Sequence, residues 1–238
     1  MRPLKQGGWA QGIYETSPTE KEMVGTLRLD LWGNKYRYAQ AGGTALNPGK
    51  LMVAADMDTD VENCKVAEAV AVGETQVSLT VTSTTVAANK FRGGNLIIND
   101  AAGEGHRYPI VFSSAVSSGT SIELTLDEPV RVALTTSSKG TIMESAWKGV
   151  VVSDGTQADL PVGVPMVDVT ADYYCWLQTG GEACVLADED AAKGAPLTIG
   201  DTANGAVEAI DAAGEPQIGI AREIMTDGHY YPVMLNID

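Results

Sequence analysis

Apolar residues in this chain recur at every second position, in short runs cut by glycine, proline and acidic turns. The run 74–84, ETQVSLTVTST, alternates almost strictly and puts Val77, Leu79 and Val81 on one side. A period of two suits a pleated strand with one buried face and cannot form the apolar stripe of a helix. The closing stretch 214–237, GEPQIGIAREIMTDGHYYPVMLNI, has the same character: two short strands about a polar turn, Gly219 in the first and Tyr230-Tyr231 opening the second. No stretch keeps a helical period beyond about three turns. The chain is therefore expected to be all-β.

Further strands are predicted along its length. TLRLDLW and KYRYAQA flank Gly33-Asn34 as a hairpin, with Tyr36 and Tyr38 on one face and Lys35 and Arg37 on the other. NLIIND, HRYPIVFS, SIELTLDE and RVALTT follow within 65–145, at intervals that suit a sandwich or barrel. After residue 149 come GVVVSD, PVGVPMVDVT, YYCWLQTGGEACVLA, APLTIG and AVEAID. Gly180-Gly181 reads as a two-residue hairpin loop. Such a loop would leave Cys175 and Cys184 on a diagonal too wide for a disulfide, so buried free thiols are expected there. The 26 glycines match this density of turns, and with only two Phe the core must be built from Val, Ala, Leu and Ile.

Residues 1–24 contain isolated large apolar side chains among Gly, Pro and charge, too few for a core of their own. They are expected to form an extended N-terminal arm. Trp9, Ile13 and Tyr14 are its candidate partner-binding anchors.

The formal charge is −15 and the pI about 4.4. An acidic surface repels phosphate backbones, so no nucleic-acid partner is expected. No apolar run reaches the ~18 residues of a membrane helix, and MRPLKQGGWAQG has no signal-peptide core, so no membrane partner is expected either. Three cysteines, an odd and low number, point to a reducing compartment.

Signatures of catalysis are missing. Two histidines, His106 and His229, occur without HExxH or paired Cys/His spacing, and there is no GxSxG elbow or Walker lysine. Asp56, Asp58, Asp60 and Glu62 alternate, but the position-6 glycine and position-12 glutamate of an EF-hand loop are replaced by Val61 and Ala67. A solvated acidic loop is the expected state. Tyr173, Tyr174 and Trp176 read as packing. No catalytic residue, cofactor or metal ligand is assigned, and the chain is expected not to be an enzyme.

Taken in order, KYRYAQAGGTALNPGKLM, KFRGGNLIINDAAGEGHRYPI, DEPVRVALTTSS and VGVPMVDVTADYYCWLQTGGEACVLAD resemble structural proteins of tailed bacteriophages. The closing 214–237 segment is similar to the last hairpin of head-decoration, or capsid cement, proteins. The resemblance spans about 25–238 and rests on turns and strands. It implies a short-strand barrel or β-tulip-like body over 25–64 and 146–238. The long middle, 65–145, is then an inserted or second β-sandwich-like subdomain. It further implies a homotrimer bound to the major capsid protein on the outer face of the virion, assembled in the bacterial cytoplasm. The size of the middle block keeps an alternative open, a head-fibre or tail structural protein that binds a host-surface glycan.

Overall fold

The structure is a computed structural model that describes residues 7–238. Residues 1–6 of the expected arm lie outside the described residues. Among the described residues sixteen strands carry the fold, with one short 3-10 helix at Thr59–Val61. They are β1 (Leu27–Leu29), β2 (Lys35–Ala41), β3 (Met52–Val53), β4 (Cys64–Val66), β5 (Gln76–Val86), β6 (Asn95–Asp100), β7 (Arg107–Ser113) and β8 (Val116–Leu126). After them come β9 (Lys139–Met143), β10 (Lys148–Val152), β11 (Pro161–Pro165), β12 (Tyr174–Leu186), β13 (Pro196–Ile199), β14 (Val207–Ala209), β15 (Gly219–Ala221) and β16 (Tyr230–Asn236). The protein is all-β.

Two compact units divide the chain. A body takes the residues up to Ala55 together with Ala146–Asp238, and an insert takes Asp56–Ser145. The division precedes the expected residue 65 because Cys64 and Lys65 of β4 pair with Gly140 and Lys139 of β9, inside the insert. The arm clusters with the body.

The insert is a closed barrel in the order β4-β5-β8-β7-β6-β9. The sequence suggested a sandwich-like arrangement; short β4 joins β5 to β9 and closes the sheet instead, leaving no free edge. Strand alternation sends Val77, Leu79, Val81, Leu96, Ile98, Ile110, Ile122 and Leu124 inward with Phe91 and Tyr108. RVALTT is not a strand; only Leu134 bridges, to Val70.

The body also contains a ring. β2 pairs with β10, β10 with β3, β3 with β11, β11 with β12, and β12 returns to β2. Ala39, Ala41, Met52, Val150, Val162, Cys175 and Leu177 fill its interior. Beyond the ring the same ten-stranded sheet continues as β12-β16-β15-β13-β14 over a core of Val185, Leu197, Ile199, Val207, Val233 and Leu235. In this sheet the expected closing hairpin is present, with Gly219 opposite Leu235 and Ile220 opposite Met234.

β12 belongs to both parts, and its glycines are not a hairpin loop. The strand runs unbroken through Gly180-Gly181 for 13 residues. Residues 174–180 pair with β2, and residues 180–186 pair with β16. The glycines mark this hand-over. Gly181 has φ +87°, and a Cβ there would meet Asn34 Oδ1 at 2.1 Å, so only glycine fits without displacement. The cysteines therefore lie far apart along one strand. All three cysteines are free; Cys175 is buried as expected, Cys64 is buried too, but Cys184, also expected to be buried, is exposed. Burial pushes the Cys175 thiol up to about 12.

Candidate functional site

The arm residues named by the sequence do not act together. Trp9 packs edge-on against Trp176 at 5.2 Å, and Trp176 meets Tyr38 at 5.0 Å. Tyr38 stacks on Tyr174 at 5.9 Å. Ile13 joins the same cluster, on the outer face of the ring. Gln11 ties it together: Tyr38 Oη donates to Gln11 Oε1 at 2.7 Å, and Trp176 Nε1 donates to Gln11 O at 3.1 Å. Gln11 Nε2 in turn donates to Tyr174 O at 3.1 Å, and Ser17 bridges Tyr174. Arg28 lies 5.5 Å from both indole rings, a cation–π clamp. Trp9 and Ile13 thus cover their own chain. The physical reason is that β2 and β12 carry Tyr36, Tyr38 and Trp176 on the outside of the ring, an aromatic face that needs a cover. Tyr14 alone points outward, 68% exposed.

The hairpin between β1 and β2 supplies what the arm lacks. Leu29 pairs with Lys35, and the five residues between them form its tip. At the tip Leu31 is 97% exposed and Trp32 85% exposed. Lone surface apolar residues are ordinary, but adjacent Leu and Trp displayed almost fully are not.

Asp30 holds this tip in shape. Its Oδ1 accepts the backbone N–H of Trp32 and of Asn34, each at 2.9 Å. Its Oδ2 accepts Asn34 Nδ2 at 2.8 Å and Tyr36 Oη at 3.1 Å. A carboxylate with four donors fixes the turn and limits the entropy lost when a partner docks. Burial pushes the Asp30 carboxyl up, but these hydrogen bonds outweigh it and hold the group below its ordinary value. Burial and then the Asp30 hydrogen bond push the Tyr36 phenol up to about 12, and the Tyr14 phenol adds to that shift. Leu31 and Trp32 stand side by side at the end of the hairpin.

Sequence reasoning missed the tip by drawing TLRLDLW as one strand. The available signal was an Asp followed four residues later by Asn, with Gly between, an Asx-turn pattern that ends a strand at Asp30.

The other residues singled out by sequence have structural partners. Asp58 caps the 3-10 helix through Asp60 N at 3.0 Å and pairs with Lys90 at 2.8 Å. The Lys90 hydrogen bond holds the Asp58 carboxyl below its ordinary value. His106 Nδ1 lies 3.0 Å from Gly103 O, and His229 Nδ1 2.8 Å from Asp227 O. A cavity of about 460 Å³ in the body is lined by Pro48, Pro165, Met166, Gln178 and Tyr230, with a mainly apolar wall.

No family model, curated protein or solved structure matches this chain.

Proposed function

We propose that this chain is a bacteriophage capsid cement, or head-decoration, protein. It binds the major capsid protein on the outer surface of the virion, as a homotrimer, and stabilises the head without catalysis or cofactor. The observation that carries the reading is the Leu31–Trp32 tip, a rigid apolar contact displayed on a chain of formal charge −15. A preformed aromatic anchor amid charged surface suits docking to another protein. Every bound copy adds to the free energy of separating capsid subunits, and a trimer multiplies modest single contacts. The arm enters this reading only through Tyr14, since Trp9 and Ile13 are occupied within the chain.

The test is co-sedimentation with empty capsid shells, with molar mass in solution measured by light scattering. A mass of three chains and saturable sedimentation are expected. The double variant Leu31→Ala, Trp32→Ala is expected to bind at least ~10-fold more weakly, the loss of one hot-spot anchor. Equal occupancy by wild type and variant rejects the tip as the contact. A wild-type monomer that ignores shells rejects the cement reading.

One observation favours the alternative of a head-fibre or tail structural protein that grips a host-surface glycan: the cavity beside Tyr230. That reading expects the isolated protein to bind glycan and Tyr230→Ala to abolish the binding.

A further inference from the structure

Lys90 stands between two carboxylates in the insert. Its Nζ donates to Asp58 Oδ2 at 2.8 Å and lies 3.3 Å from Glu144 Oε1. The two contacts differ in kind. Toward Asp58 the amine makes a hydrogen bond. Glu144 Oε1 is buried, and among the described residues it accepts no hydrogen bond, although the amine is within reach. A buried carboxylate oxygen without a donor is uncommon and calls for a reason. An ion pair built for stability turns an ammonium proton toward each carboxylate. Here the nitrogen is close to Glu144 but outside hydrogen-bonding geometry.

The barrel fixes all three groups. Lys90 is in the 87–94 loop between β5 and β6. Its neighbour Phe91 is fully buried in the barrel core and donates its N–H to Ser113 Oγ at 3.2 Å. Asn89 N–H donates to Ser113 O at 2.8 Å. The Lys90 amine lies 5.4 Å from the centre of the Phe91 ring. Glu144 follows Met143, the last residue of β9, which pairs with Asn95 at the start of β6. Gly94 lets the two segments close: a Cβ there would lie 2.0 Å from Met143 O and 3.1 Å from Glu144 C. Asp58 is held through its other oxygen, Oδ1, which accepts Asp60 N at 3.0 Å as the cap of the 3-10 helix.

We propose that Lys90 and Glu144 condense to an intramolecular isopeptide bond, with Asp58 as the proton acceptor. Well-oriented groups in one molecule react as if at about 10⁵–10⁸ M, which favours a condensation that free amines and carboxylates in dilute solution do not complete. Burial lowers the Lys90 amine, but the Asp58 hydrogen bond and the Glu144 charge outweigh it and hold the group above its ordinary value. The arrangement described is therefore the ion-paired state that precedes the bond.

Lys90 first passes an ammonium proton to Asp58 Oδ2 along the existing hydrogen bond. The freed lone pair on Nζ attacks Glu144 Cδ and forms the N–C bond. One Glu144 carboxyl oxygen leaves. It takes two protons from the former ammonium, relayed by Asp58, and departs as water. Asp58 ends as the carboxylate it was, and the Lys90 and Glu144 charges are both neutralised. No oxidant or cofactor takes part. The product ties the 87–94 loop covalently to the end of β9. This inference does not depend on the capsid reading.

The experiment is the intact mass of the denatured full chain, followed during incubation at neutral pH until it no longer changes. Wild type is expected to end lighter by one water. Lys90→Arg and Glu144→Ala, folded by circular dichroism, are expected to keep their full mass. Protease digestion and fragment sequencing should find Lys90 joined to Glu144. Asp58→Ser keeps an oxygen at the helix cap and removes the proton acceptor, so it should form the bond at least ~100-fold more slowly. A wild-type chain that stays at full mass overturns the proposal. A water lost equally by Lys90→Arg or Glu144→Ala, or a link from Lys90 to any other residue, overturns the pairing. An unchanged rate in Asp58→Ser overturns the role of Asp58.

Discussion

The insert and the body are both closed by strand pairing, yet they are buried differently. In the insert, β5, β6 and β8 show a simple in–out alternation: Val77, Leu79 and Val81 are buried, while intervening positions face out. In the body ring, β12 is buried on both faces over residues 175–180. Cys175 and Leu177 face inward; Trp176 faces outward and is then covered by Trp9 and Ile13. The difference teaches that a barrel wall can be two-sided when another segment of chain roofs it. The roof, not the ring, explains why the N-terminal segment carries large apolar residues.

The comparison can be broken most directly at Trp176. Trp176→Ala removes the centre of the outer cluster and is expected to cost about 3–5 kcal/mol by urea denaturation. By hydrogen exchange, the arm residues 9–17 and β2 should lose protection together. Leu79→Ala in the insert should cost about 2–5 kcal/mol, with the loss of protection centred on its barrel strands. Unaltered protection of the arm in Trp176→Ala would remove the roof from the account.

A middle-sized effect is expected at the hand-over in β12. Gly181→Ala places a Cβ against Asn34 at a positive φ and should cost about 1–3 kcal/mol. Because Asn34 is also held by Asp30, the same variant should loosen the hairpin tip, read as faster amide exchange at Trp32 and Asn34. A neutral Gly181→Ala would mean that the strand turns the corner by other means.

The smallest effect concerns acid. The Lys90 contact lowers the Asp58 carboxyl in the folded insert below its ordinary 3.8. A depressed carboxyl adds stability above the unfolded value, and this is lost as pH falls through the folded one. Asp58→Asn should therefore cost up to about 1 kcal/mol at pH 7, and the gap to wild type should narrow below about pH 3.8. A gap that stays constant across that range would assign the loss to the helix cap alone.

Much of the fold was legible because alternation is local. Val77, Leu79 and Val81, and the pairing of 219–221 with 233–235, follow from residues close in sequence. Gly180-Gly181 misled because a glycine pair serves equally as a tight loop or as a kink in a long strand. What decides is the approach of Asn34, a residue remote in sequence. The arm was legible as a segment with anchors, but the aromatic face that captures Trp9 is assembled from β2 and β12. Leu31 and Trp32 are plain in the sequence; their exposure depends on where Asp30 ends the strand.

By itself, then, the sequence determined the class of element, the turns and the inward faces, since a pleated strand shows its period within a few residues. Only the tertiary structure decided which strands close on which, what the arm covers, and which side chains stay at the surface. Those outcomes depend on pairings between residues more than a hundred positions apart, such as Trp176 with Tyr38. No local pattern encodes such a pairing; it is set by which closure buries the most apolar surface while satisfying every strand edge.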